Sequence, residues 1–139
     1  MDNLNENKIG IAKDHEELKQ SLEGQFRGET GEVGLYLAMA RTAQREGLPE
    51  VGEVLKRIAW EEADHAARYA ELNGKISTKT IDNLKMMYNG ELGSNKMKKE
   101  LAVKAKEANL DEVHDFIDEA SRDEARHAHM LKGLIEKLE

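Results

Sequence analysis

Displaced by 62 residues, the chain aligns with itself: residues 22–73 lie on 84–135 without a gap, and fourteen of the paired positions are identical. The matches include Gly28/Gly90, Glu29/Glu91, Gly31/Gly93, Glu62/Glu124, Ala63/Ala125, His65/His127 and Ala66/Ala128, and "GLPEV" falls on "NLDEV". A repeat of this length makes each copy one supersecondary unit used twice. Apolar residues recur at alternating steps of four and three in four segments, so the unit is a pair of helices, each burying one stripe. The first stripe runs through Leu22, Phe26, Val33, Tyr36 and Ala40, and the second through Val51, Leu55, Ile58, Tyr69 and Leu72. A third, less regular, holds Leu84, Met87 and Leu101–Ala102, and the fourth holds Val113, Ile117, Ala120, Leu131, Leu134 and Leu138.

The composition agrees with long helices, since 35% of residues are charged, 4% are aromatic and there is a single proline. Punctuation falls between the stripes: Gly47 and Pro49 separate the first two helices, and Asn73–Gly74 ends the second. Thr78 or Thr80 is expected to cap the third, and Asp111 the fourth. The expectation is an all-α four-helix bundle in one domain over 1–139, built from hairpins at about 16–73 and 79–138, with 1–14 loosely ordered.

An excess of 28 acidic over 21 basic residues, with no basic stripe, argues against a nucleic-acid partner. No apolar run is long enough to span a membrane and no signal peptide stands at the N-terminus, so a cytoplasmic location is expected. The absence of cysteine excludes disulfides and thiolate ligands, so any metal must be held by nitrogen and oxygen.

Six positions interrupt the apolar stripes with polar residues: Glu29, Glu62, His65, Glu91, Glu124 and His127. Each half has one Glu midway along its first helix and an E-x-x-H midway along its second, "EADH" (62–65) and "EARH" (124–127). Residues three apart project from one helix face, so each Glu and His aim at a common point, and Glu32 joins Glu29 in the same way. One E-x-x-H in a charged helix is ordinary. Two at a fixed offset, each matched to a stripe Glu, are a ligand set. Gathering five carboxylates in a core costs several kcal/mol per ion unless cations offset them. Two metal ions would do so, and carboxylate with imidazole suits iron or manganese, with zinc an alternative.

The motifs "GETGEV" with "EEADH" and "NGELG" with "DEARH" resemble the rubrerythrins, ferritin-like di-iron carboxylate proteins, over about residues 20–138. In ordinary rubrerythrins the extra Glu belongs to the second hairpin. Here Glu32 lies in the first and its repeat partner is Ser94, which resembles the reversed type. The resemblance implies that Glu62 and Glu124 bridge two irons, that Glu29 and His65 complete one site, and that Glu91 holds the other. It further implies that His127 and Glu32 alternate at the second iron with redox state, and that Tyr36 stands beside the cluster. The implied activity is a non-haem di-iron peroxidase that reduces hydrogen peroxide to water. Rivals are a di-iron oxidase acting with dioxygen, a dimanganese catalase-like enzyme, and a non-enzymatic iron-binding or storage protein. Rubrerythrins commonly carry a cysteine-ligated rubredoxin domain; with no cysteine here, electrons must come from an external donor such as a rubredoxin or a reductase.

In this fold class the second and third helices run parallel. The stretch from Asn73 to Thr80 reaches only about 25 Å, against roughly 37 Å for a 25-residue helix. A domain-swapped homodimer is therefore expected, with a single-chain up-down-up-down bundle as the alternative. His15, His114 and His129 fall off the ligand stripes and read as surface residues, Trp60 and Met86–Met87 read as packing, and the lysines of "KMKK" (96–99) read as a solvated helix face.

Overall fold

The computed structural model describes residues 8–139. Four helices follow one another: α1 (Glu16–Arg45), α2 (Pro49–Leu72), α3 (Thr80–Glu107) and α4 (Asp111–Leu138). Among the described residues there is no strand, and no helix is long and apolar enough to cross a membrane. The chain divides between Ile76 and Ser77 into two compact units, one helical hairpin in each, at the boundary the repeat implies.

The hairpin turns are built alike. Gly47 (φ 76°) and Asn109 (φ 59°) are repeat partners, and both take the left-handed conformation just past a helix end. Leu48 N–H then donates to Ala43 O (2.8 Å) and Leu110 N–H to Ala105 O (3.0 Å), closing the same Schellman turn in each unit. Glycine is free to adopt this backbone and asparagine is one of the few other residues that does so readily, which explains how G can replace N across the repeat. Pro49 opens α2 as expected. Asp111 does not cap α4 through its side chain; it pairs with Lys106 (2.8 Å) across the turn. Nor do Thr78 and Thr80 cap α3. Asn83 instead accepts from Ser77 N–H (2.7 Å) and donates back to Ser77 O (2.9 Å).

Within each hairpin the helices meet through small side chains. Ala40, Ala43, Ala59 and Ala66 are buried in the first, and Ala102, Ala105, Ala128 and Ser121 in the second; each of these is the repeat partner of another. Gly52 continues the seam, where an added Cβ would lie 3.3 Å from Ala40 O. Such residues let two helices approach closely but bury little apolar area; stripe residues such as Phe26, Leu55, Ile58 and Ile117 are half-buried, and Leu35, Met97, Phe116 and Trp60 are 65–78% exposed.

The expectation of a loosely ordered stretch over 1–14 is corrected for its described part, while 1–7 lie outside the described residues. Gly10 N–H donates to Glu71 O (2.7 Å) and Ala12 N–H to Leu72 O (3.0 Å), so residues 10–13 form a turn docked on the end of α2, with Ala12 buried. The free carbonyls of a helix C-terminus are what this turn satisfies. Gly74 (φ 65°) makes room for it, since a Cβ there would stand 3.2 Å from Gly10 Cα. Gly74→Ala is therefore expected to destabilise the first hairpin by about 1–2 kcal/mol, read as a lower melting temperature together with faster proteolysis around residues 8–14.

Candidate metal centre

Three of the inferred ligands converge in each hairpin. Glu29 from α1 meets Glu62 and His65 from α2, and Glu91 from α3 meets Glu124 and His127 from α4, each trio offering ligand atoms all within 4.8 Å of one another. The antiparallel pairing brings this about, because it sets the midpoint of one helix against the midpoint of the next. His65 Nδ1 lies 3.3 Å from Glu62 Oε2 and 3.8 Å from Glu29 Oε2. His127 Nδ1 lies 3.6 Å from Glu91 Oε2 and 3.7 Å from Glu124 Oε2. The two half-sites are thus one arrangement made twice.

Electrostatically each is strained without a cation. Glu29 is held above the ordinary carboxylate value chiefly by Glu62, with which it can share a proton, then by burial, and the nearby Glu32 adds to the effect. Glu62 is correspondingly lowered by that shared contact, aided by His65. Glu91 is raised by Glu124 and by burial, while Glu124 is lowered by Glu91 and then by Lys98. When all these carboxylates are ionised none can donate, and Glu29 Oε2 and Glu91 Oε2 remain buried with no hydrogen-bond partner. Orphaned acceptors of this kind in both half-sites fit a bound cation, and carboxylate with imidazole is a donor set for iron, manganese or zinc.

Each half-site is open on one side. The side chains of His65 and His127 are 59% and 43% exposed, whereas the carboxylates beside them are 14–18% exposed. Glu32 is not drawn into the first trio. It lies one turn further along α1, exposed, and lines a shallow depression with Leu35, half-buried Tyr36 and Met39. Of the histidines read as surface residues, His15 and His129 are exposed; His114 is half-buried with Nδ1 2.9 Å from Asp115.

One residue of the centre was not singled out from the sequence. Lys98, read there as part of a solvated lysine face, turns into the second half-site, its Nζ 2.6 Å from Glu124 Oε1. Lys96 and Lys99 are exposed as expected. The signal was available in the spacing, because position 98 stands seven residues past Glu91 and is the repeat partner of Tyr36.

The family model described as Rubrerythrin matches this chain twice, over residues 20–81 and 82–139, one match to each hairpin. Reverse rubrerythrin-1 of Clostridium acetobutylicum is 50% identical over 136 residues, which cover 95% of this chain and 74% of that protein. An uncharacterized protein of Methanocaldococcus jannaschii is 59% identical over 137 residues, covering 99% of this chain and 96% of that one. No solved structure matches.

Proposed function

This chain belongs to the rubrerythrin family and is similar to its reverse type, and from that premise we propose that it is a di-iron peroxidase reducing hydrogen peroxide to water with electrons from an external donor. The observation that carries the proposal is the duplicated half-site, Glu29/Glu62/His65 and Glu91/Glu124/His127, with one orphaned carboxylate oxygen in each. A bound ferrous pair supplies two electrons, one from each iron, which with two protons convert one hydrogen peroxide into two waters.

The residues divide the work of holding that pair. Glu62 and Glu124 would be shared between the two ions, Glu29 and His65 would complete the hold on one, and Glu91 would hold the other. His127 and Glu32 would serve as alternative ligands of that second ion, one neutral and one anionic, which would suit two metal charges. The placement of Glu32 one turn outside the first trio suits a ligand that joins in only one state. Tyr36, one turn beyond Glu32 and half-buried, holds a phenolic proton next to the depression that both line. The electron donor is proposed to be another protein in the cytoplasm, such as a rubredoxin or a reductase.

Three protein ligands on an open face do not complete a coordination shell, and this supports pairing the hairpins into composite sites. α2 has 24 residues and is about 36 Å long, while the stretch from Asn73 to Thr80 can reach only about 25 Å. If α2 and α3 run parallel in the finished bundle, the first hairpin of one chain must pair with the second hairpin of another. A domain-swapped homodimer with two di-metal sites is therefore part of the proposal.

The test is to load metal-free protein anaerobically with two ferrous ions per chain and mix it in a stopped-flow cell with hydrogen peroxide or dioxygen, following the ultraviolet–visible bands of the oxidised iron pair. Oxidation by peroxide at least about 100-fold faster than by dioxygen, on the order of 3 kcal/mol in activation free energy, supports the peroxidase. Preference for dioxygen points to an oxidase, and absence of any ordered spectrum moves the reading to another metal or a non-redox role.

A further inference from the structure

The two half-sites match in every ligand and differ in what stands beside them. In the first, the two positions that follow Glu29 along the helix face are Glu32 and Tyr36; in the second, their repeat partners are Ser94 and Lys98. Lys98 Nζ reaches Glu124 Oε1 at 2.6 Å and donates to Ser94 Oγ at 2.5 Å, and its side chain is 33% exposed. Among the described residues, Glu29 and Glu62 have no ion-pair partner besides His65. Two carboxylates and a histidine therefore stand in the first half-site, against two carboxylates, a histidine and an ammonium in the second.

We propose that Lys98 is a built-in counter-cation of the second half-site, which competes with the metal for Glu124 and so makes the two metal positions unequal, the first filling before the second. The inference rests on the metal-binding reading above and adds an order to it. With the metal absent, the ammonium neutralises part of the acidic cluster and holds one oxygen of Glu124. An entering dication must displace it from that oxygen and is repelled by it at short range. Ser94 offers the displaced ammonium an acceptor, but a neutral one. At the place of Lys98 in the first half-site stands its repeat partner Tyr36, which carries no positive charge to compete with a dication. Charge and contact thus act in the same direction. Lys98 is a positioning residue in this scheme, since it acts on the metal through Glu124.

The experiment is an anaerobic titration of the metal-free 139-residue chain with cobalt(II), following its visible d–d bands, with a chromophoric chelator as competitor to fix both affinities. Wild-type protein is expected to take up two ions per chain in two steps, the second at least about tenfold weaker. Lys98→Met and Lys98→Gln should tighten the second step by about tenfold and the first, which Glu124 reaches only as a shared ligand, by clearly less, so that the two steps draw together. Lys98→Arg retains the charge and should retain the two steps, which separates loss of the cation from disturbance of the fold. Two equal affinities in the wild type, or unequal affinities unmoved in both neutral variants, would overturn the role of Lys98 and leave the metal site standing. Failure of the wild type to bind cobalt at all would overturn the proposed function and this inference with it.

Discussion

Loading chelator-stripped protein with two ferrous ions per chain under argon is expected to raise its melting temperature by about 10 °C or more. Each half-site is a place where the folded chain has gathered carboxylates that it cannot satisfy alone, and Glu29 Oε2 and Glu91 Oε2 are buried without partners. A ligand that binds only the native state, present at 100 times its dissociation constant, stabilises by about 2.7 kcal/mol. Two such ions give about 5 kcal/mol, and each kcal/mol is worth roughly 2–4 °C in a chain of this size. The increment also depends on pH, with a sign that the carboxylate pairs determine. Glu29 and Glu91 have raised values, so the stability they lend the metal-free fold is present at low pH and lost as pH rises through those values. Glu62 and Glu124 have lowered values, and their contribution is present above the ordinary carboxylate range and lost as pH falls through the lowered values. Metal binding requires all four ionised. The difference between metal-loaded and chelated melts should accordingly widen as pH rises from the acid side through the raised values of Glu29 and Glu91, and vanish in acid. A chelator that leaves the melt unchanged at neutral pH would mean that the polar stripe positions bind nothing.

Most of this architecture is legible in the sequence because it follows from periodicity. Helix boundaries, the hairpin turns and the two ligand trios all come from counting spacings, and the duplication doubles the weight of each count. Local contacts with no period were harder to foresee. The turn at residues 10–13 is held by backbone donors on the last carbonyls of α2, a contact that any polar stretch can make and that no side chain announces. The caps expected from Thr78, Thr80 and Asp111 gave way to a Ser77–Asn83 pair and a Lys106–Asp111 ion pair, because a side-chain oxygen near a helix start has several donors to choose from. Lys98 was hidden by composition. Within "KMKK" three lysines look alike, and only the register relative to Glu91 separates the one that turns into the site from the two that do not. Repeat registers read at non-identical positions, Tyr36 against Lys98 and Glu32 against Ser94, show where the two half-sites differ, which identical positions cannot.

Replacing Phe116 by Asp is expected to abolish both dimerisation and metal uptake. Phe116 is 70% exposed within its own unit and precedes His127 by eleven residues, three helical turns, so it shares the open face of the second half-site. Val54, its repeat partner, stands in the same relation to His65 and is 57% exposed. Each hairpin buries a seam of alanines and leaves many of its large apolar residues exposed, so a single unit buries little large apolar surface. Under the proposed pairing, this face of uncovered apolar residues and half-exposed histidines is the one a second hairpin would cover. Covering a phenylalanine contributes about 2–3 kcal/mol, and burying an unpaired carboxylate in its place costs several more. In a two-fold dimer each substitution counts twice, so the total approaches 10 kcal/mol, enough to cancel the stability of an ordinary domain. Trp60 provides the control. It is 78% exposed beside Ala63, Asp64 and Ala67, away from the ligand face, and Trp60→Gln should leave dimer mass and metal stoichiometry intact. Light scattering of the wild type decides the swap itself: a monomer that binds two metal ions tightly would place both hairpins of one chain in one bundle, whereas a dimer lost on Phe116→Asp together with its metal shows that the second copy completes the site.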